Sequence, residues 1–152
     1  MGNRAVITIK DKHAIHGWSE SNLGIYLHWN GGRDSVEAFL TYCKIQGFRS
    51  PDVDNYGWAR LAQVIGNFFG GDGLSVGLDI CRRLDCKNGD NGVYIIDGWD
   101  IVGREYFTGR EQDSYDLEPM LQYIDEQQPA KMQLGPARIA DALAKLGGAA
   151  GD

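Results

Sequence analysis

Residues 24–71 read GIYLHWNGGRDSVEAFLTYCKIQGFRSPDVDNYGWARLAQVIGNFFGG. Ile25, Leu27 and Trp29 alternate with Tyr26, His28 and Asn30, the period of two expected of a strand with one face on a core. Asn30-Gly31-Gly32 tolerates positive φ and predicts a sharp reversal. Asp34 and Glu37 stand at capping-box spacing, with Asp in the Ser/Thr role, so a helix should begin at or near Ser35. Val36, Phe39, Leu40 and Cys43 form its buried stripe, and Gly47 closes it. A second helix enters through Ser50-Pro51, with Asp52, Asp54 or Asn55 as cap, and buries Leu61, Val64, Ile65 and Phe68. Gly66 inside it costs about 1 kcal/mol relative to alanine, which marks either close backbone packing or a merely tolerated glycine. Gly70 to Gly73 end this helix.

Working outward, Arg4–Lys10 alternates strong β formers and predicts a first strand, antiparallel to the one at Gly24 because no crossover helix separates them. Asp11–Asn22 reads as a polar loop. Downstream, Leu74–Ile80 predicts another strand, and 87–92 a turn. Asp97-Gly98 between the apolar runs 92–96 and 99–102 matches a two-residue hairpin turn. Ser114 or Asp116 starts a third helix with stripe Leu117, Met120, Leu121 and Ile124, where Pro119 falls in the first turn. The expected fold is α+β, an antiparallel sheet of four to five strands with two or three helices packed on one face. A single domain is expected over 1–128. Residues 129–152 read as an Ala/Gly-rich extension, with a short helix at Pro136–Leu146 and a disordered tail.

The chain has 152 residues, 43% hydrophobic, which suits one domain with a sizeable core. Its net charge of −6 argues against a general binder of nucleic-acid backbones but leaves room for one small anion. No apolar run is long enough to cross a membrane and no apolar signal region opens the chain, so a cytoplasmic protein is expected. The three cysteines, Cys43, Cys81 and Cys86, form no disulfide framework.

Catalytic signatures are scarce. His28 would need Ser35 or Cys43 as a nucleophilic partner together with an orienting acid. GNFFGGDG lacks the Lys-Ser/Thr of a phosphate-binding loop and begins no helix. His13-x-x-His16 with Cys81-x4-Cys86 could supply four zinc ligands, but the pairs lie far apart in sequence. Residues 85–92 lack the alternating carboxylates of a calcium loop. No catalytic residue, metal or cofactor is therefore assigned, and a binding protein is preferred to an enzyme.

Aromatic, amide and basic side chains gather around the turns instead. Tyr26, Trp29, Tyr56 and Trp58 offer flat faces, Asn30, Asn55 and Asn67 can read hydrogen-bonding edges, and Arg33 and Arg60 can neutralise a phosphate or carboxylate. These nine residues are the expected ligand site. Trp29, Trp58 and Trp99 have a competing role as core residues. A pocket shared across a homodimer or higher homo-oligomer would reconcile the two roles.

At HWNGGRDSVEAFL, NYGWARLAQVIGNFFGG and NGVYIIDGW the chain resembles a family of small proteins encoded on prophages and other mobile elements of bacteria, over about residues 3–125. The resemblance implies a phage-borne accessory role in the bacterial cytoplasm, such as a counter-defence factor. Two mechanisms follow. One is sequestration of a nucleotide-derived immune signal. The other is anti-CRISPR-like inhibition of a host defence nuclease, in which the acidic segment Glu111–Glu126 imitates nucleic acid. A nucleotide-acting enzyme is a further alternative. Neither mechanism needs direct nucleic-acid or membrane binding.

Overall fold

The alternating segments at the N-terminus pair as expected: β1 (Ala5–Ile9) and β2 (Leu23–Leu27) are antiparallel neighbours, with Ala5 opposite Leu27. In the computed structural model, which describes residues 2–151, three further strands complete one sheet. They are β3 (Val76–Ile80), β4 (Val93–Asp97) and β5 (Asp100–Glu105), and the order is β3-β2-β1-β4-β5. The fold is α+β, but the sheet is mixed, because β4 runs parallel to β1. The reason lies in segment 81–92, which carries the chain from the β3 edge to the far side of β1. Its end is fastened there by Asn91 N–H to Arg4 O and Val6 N–H to Gly92 O. So placed, β4 starts beside the start of β1 and must run the same way.

Among the described residues four α-helices accompany the sheet: α1 (Arg33–Ile45), α2 (Asn55–Phe69), α3 (Leu117–Glu126) and α4 (Pro136–Gly151). Ile7, Ile25, Leu27, Tyr94 and Ile96 point from the sheet into the main core, where they meet Phe39, Leu40, Leu61, Ile65, Leu121 and Ile124. The opposite sheet face carries a smaller cluster of Val6, Trp18, Val93 and Ile95 with Cys81 and Cys86. Ile139 of α4 is fully buried in the main core, with Leu134 and Leu143 packed against it. The backbone stays helical through Gly151, past the expected end at Leu146, and Asp152 lies outside the described residues. Among the described residues no helix is long and apolar enough to cross a membrane.

Several local expectations hold and others shift. Asp54 caps α2 through Tyr56 N–H, and Asp116 caps α3 through Glu118 N–H. Helix α1 begins at Arg33, two residues earlier than the capping box places it, and its Gly32 cap supplies no side chain. Gln112 takes that role from the far end of the chain by accepting the Asp34 N–H at 3.1 Å. Glu37 instead pairs with Tyr115 and Arg33. The hairpin loop is Gly98-Trp99, one residue later than expected, since Asp97 pairs with Asp100. Gly98 there has φ 63°, as the first position of a type II′ turn requires. Gly66 has open space where a Cβ would stand, so it is a tolerated glycine.

Candidate functional site

The chain leaves β2 at Leu27 and turns through Asn30, whose φ of 59° is left-handed. A Cβ on Gly31 would come within 2.4 Å of Asn3 O, so only glycine permits this close approach. The strand alternation thus stops two residues before Trp29, and its ring turns outward, 47% exposed and edge-on to His28. Asn30 beside it donates from Nδ2 to Ser35 Oγ at 3.3 Å.

Across from this turn, α2 ends in Phe68-Phe69 and α3 presents Tyr123. Phe68 stacks edge-on with Phe69 and Tyr123 at centroid distances of 5.1 and 5.0 Å, a favourable aromatic geometry. Between the turn and these helix ends lies a groove of about 700 Å³, the size of a small-molecule site. Trp29, Asn30, Phe68, Phe69 and Tyr123 line it, with Gly71, Ser75 and Gln127 at its margins. Its walls therefore combine four rings with two amides and a hydroxyl, and none of these eight residues is charged.

Of the nine expected ligand residues, the structure brings only Trp29 and Asn30 to this groove. Tyr26 lies on the other face of the sheet, where its hydroxyl meets His28 Nδ1 at 2.9 Å. Arg33 is paired with Glu111 at 3.0 Å and lines two separate hollows. Asn55, Tyr56 and Arg60 sit at the opposite end of α2 from Phe68. Twelve residues of helix place Tyr56 about 18 Å away from it. There Tyr56 lies under the Arg49 guanidinium, and Arg60 donates to Gln63. Trp58 is 9% exposed and belongs to the main core, as does Trp99, whose Nε1 donates to Phe48 O. Asn67 docks α2 on α3 through Gln128 Oε1 at 2.9 Å. The expected convergence of Trp29, Tyr56, Trp58 and Arg60 does not occur, because a helix spreads such residues along its length and around its axis.

Sequence reading placed Phe68 in the core stripe and did not assign Phe69, Gly71, Ser75, Tyr123 or Gln127 to a site. The available signal was Tyr123, a large ring standing off the Leu117-Met120-Leu121-Ile124 stripe and 54% exposed.

The other chemical candidates disperse. Cys43 is fully buried and Ser35 is engaged with Asn30, while His28 bonds to Tyr26. Among the described residues no three His, Cys, Asp or Glu side chains are gathered to hold a metal. The acidic segment is partly consumed by the fold. Glu111 pairs with Arg33 and Arg104, and the Arg104 guanidinium lies between the rings of Tyr94 and Phe107, 3.8 and 3.9 Å from their centroids. Asp125 is 4% exposed and accepts from Tyr42 and from two backbone amides. Asp116 caps α3, which leaves Asp113, Glu118 and Glu126 for an acidic surface. No protein-family model matches the chain, and no curated protein or solved structure proves similar to it.

Proposed function

We propose that the protein is a non-enzymatic binding protein whose groove between the Trp29 turn and the ends of α2 and α3 takes the planar base of a nucleotide-derived small molecule. In the setting that the prophage resemblance implies, holding that molecule removes a host defence signal from solution. The reading rests on one observation: Trp29, Phe68, Phe69 and Tyr123 share a single groove with the amides of Asn30 and Gln127. Rings supply stacking faces and amides can read a base edge. Arg33 and Arg60 stand elsewhere, so the base end enters and the phosphate end stays toward solvent. Acidic mimicry has less support, since Asp125, Glu111 and Asp116 already serve the fold.

Calorimetry and thermal-shift measurements with a panel of cyclic nucleotides and cyclic ADP-ribose isomers test this. At least one ligand should bind and quench Trp29 fluorescence. Trp29→Ala and Tyr123→Ala should each weaken it about fivefold or more, as loss of one stacking face at about 1–3 kcal/mol requires. No shift across the panel, or unchanged affinity in both variants, removes the proposal. Turnover of a panel member to product would replace it with the enzymatic alternative.

A further inference from the structure

Cys81 follows β3 directly and Cys86 lies five residues on, both on the sheet face away from the helices. A short 3-10 turn, Cys81–Arg83, folds the chain back between them, and Leu84 N–H closes it on Cys81 O. The fold-back brings the Cys86 sulfur against Cys81, where its Sγ donates to Cys81 O at 3.4 Å. Both line a small surface cavity of about 230 Å³, with Glu20, Arg82, Asp85 and Lys87 around its walls. Cys81 is 1% exposed and Cys86 9%. The third thiol, Cys43, sits fully buried in the main core, where burial pushes its pKa up.

We propose that Cys81 and Cys86 form a reversible dithiol/disulfide site that is oxidised by small peroxides entering this cavity. The Cys81 thiolate attacks one peroxide oxygen, the O–O bond breaks, and the leaving hydroxide is protonated to water. Cys81 is then a sulfenic acid. The Cys86 sulfur attacks it, the S–O bond breaks, and hydroxide leaves as water with the Cys86 proton. One S–S bond has formed, two thiols are oxidised, and one peroxide is reduced to two waters. An added dithiol reverses the change by exchange.

The order of attack follows from the surroundings of each sulfur. The neighbouring Cys86 thiol holds the Cys81 thiol below its usual pKa, against opposing burial and the nearby Glu20 carboxylate. The same contact pushes Cys86 up, which suits a resolving thiol.

The native full-length chain, treated with hydrogen peroxide and analysed by intact mass and peptide mapping, decides the matter. The expected product has lost two hydrogens, contains a Cys81–Cys86 cross-link, leaves Cys43 free and returns to the thiol form with dithiothreitol. Cys86→Ser should stop at a sulfenic acid on Cys81 that dimedone traps, and Cys81→Ser should resist oxidation at Cys86. Three free thiols after a dose that oxidises a control thiol peptide would overturn the proposal. So would cross-links involving Cys43, or oxidation of Cys86 in Cys81→Ser at the wild-type rate. Should either variant fail to fold, mapping of the wild-type product decides alone.

Discussion

Asp125→Asn offers a sharp test of how the acidic helix is used. On the surface, this change would remove one charge and little else, within about 0.5 kcal/mol. In the structure, Asp125 Oδ1 accepts from the Tyr42 hydroxyl at 2.6 Å and from Leu134 N–H at 2.8 Å, and Oδ2 accepts from Gly135 N–H at 2.9 Å. The carboxylate thus ties α1, α3 and the approach to α4 together from a buried position. Burial and this hydrogen bond push the Tyr42 phenol up, so it stays a neutral donor. An asparagine oxygen can keep the two bonds of Oδ1, but its NH₂ then faces Gly135 N–H, donor against donor. The kept bonds lose their charge assistance at about 1 kcal/mol each, and an orphaned amide costs about 1–3 kcal/mol more. The expected loss is therefore roughly 3–5 kcal/mol in urea denaturation, which corresponds to a fall in Tm of about 6–20 °C for a chain this long. Glu118→Gln, on the same helix but toward the surface, is the control and should shift stability by less than about 0.5 kcal/mol. Equal, small effects from both variants would refute the reasoning and return Asp125 to an acidic surface.

Two glycines of α2 should respond to alanine with opposite signs. A Cβ at Gly57 would lie 2.3 Å from Ser50 C and 2.4 Å from Pro51 N, so Gly57→Ala should destabilise by about 1–3 kcal/mol. Gly66 has no neighbour within 4 Å, so Gly66→Ala should stabilise by about 1 kcal/mol; chemical denaturation that gives both the same sign contradicts the packing described. The Arg4 guanidinium, donating to Asp90, holds that carboxyl below the usual carboxylate range. A depressed folded pKa gives stability that is present above about pH 4, the unfolded value, and is lost as pH falls through the folded one. The gap in urea midpoint between wild type and Asp90→Asn should therefore narrow from pH 7 toward pH 3, and parallel profiles would exclude this linkage.

Periodicity and punctuation determined the elements of this protein. The alternation at Ile25 and Leu27, the stripe Val36-Phe39-Leu40-Cys43, the caps Asp54 and Asp116, and Pro119 in a first turn are all local, and each predicts its own segment. Local signals also told that Cys43 is a core residue. They could not tell that β4 lies parallel to β1, because that depends on the path of segment 81–92 across the sheet. Nor could they show that Gln112 caps a helix 78 residues upstream. Of the groove lining only Trp29 and Asn30 stood among the expected residues, for the same reason. Clustering in sequence put Tyr56, Trp58 and Arg60 beside Trp29, yet a helix rises about 1.5 Å per residue and turns about 100°, so it separates neighbours and joins strangers. Tyr123 meets Phe68 only because α3 packs beside α2, and Cys81 meets Cys86 only because the chain folds back between them. Composition and spacing chose which residues face inward; the docking of helix on helix and loop on sheet chose which outward-facing residues share a surface.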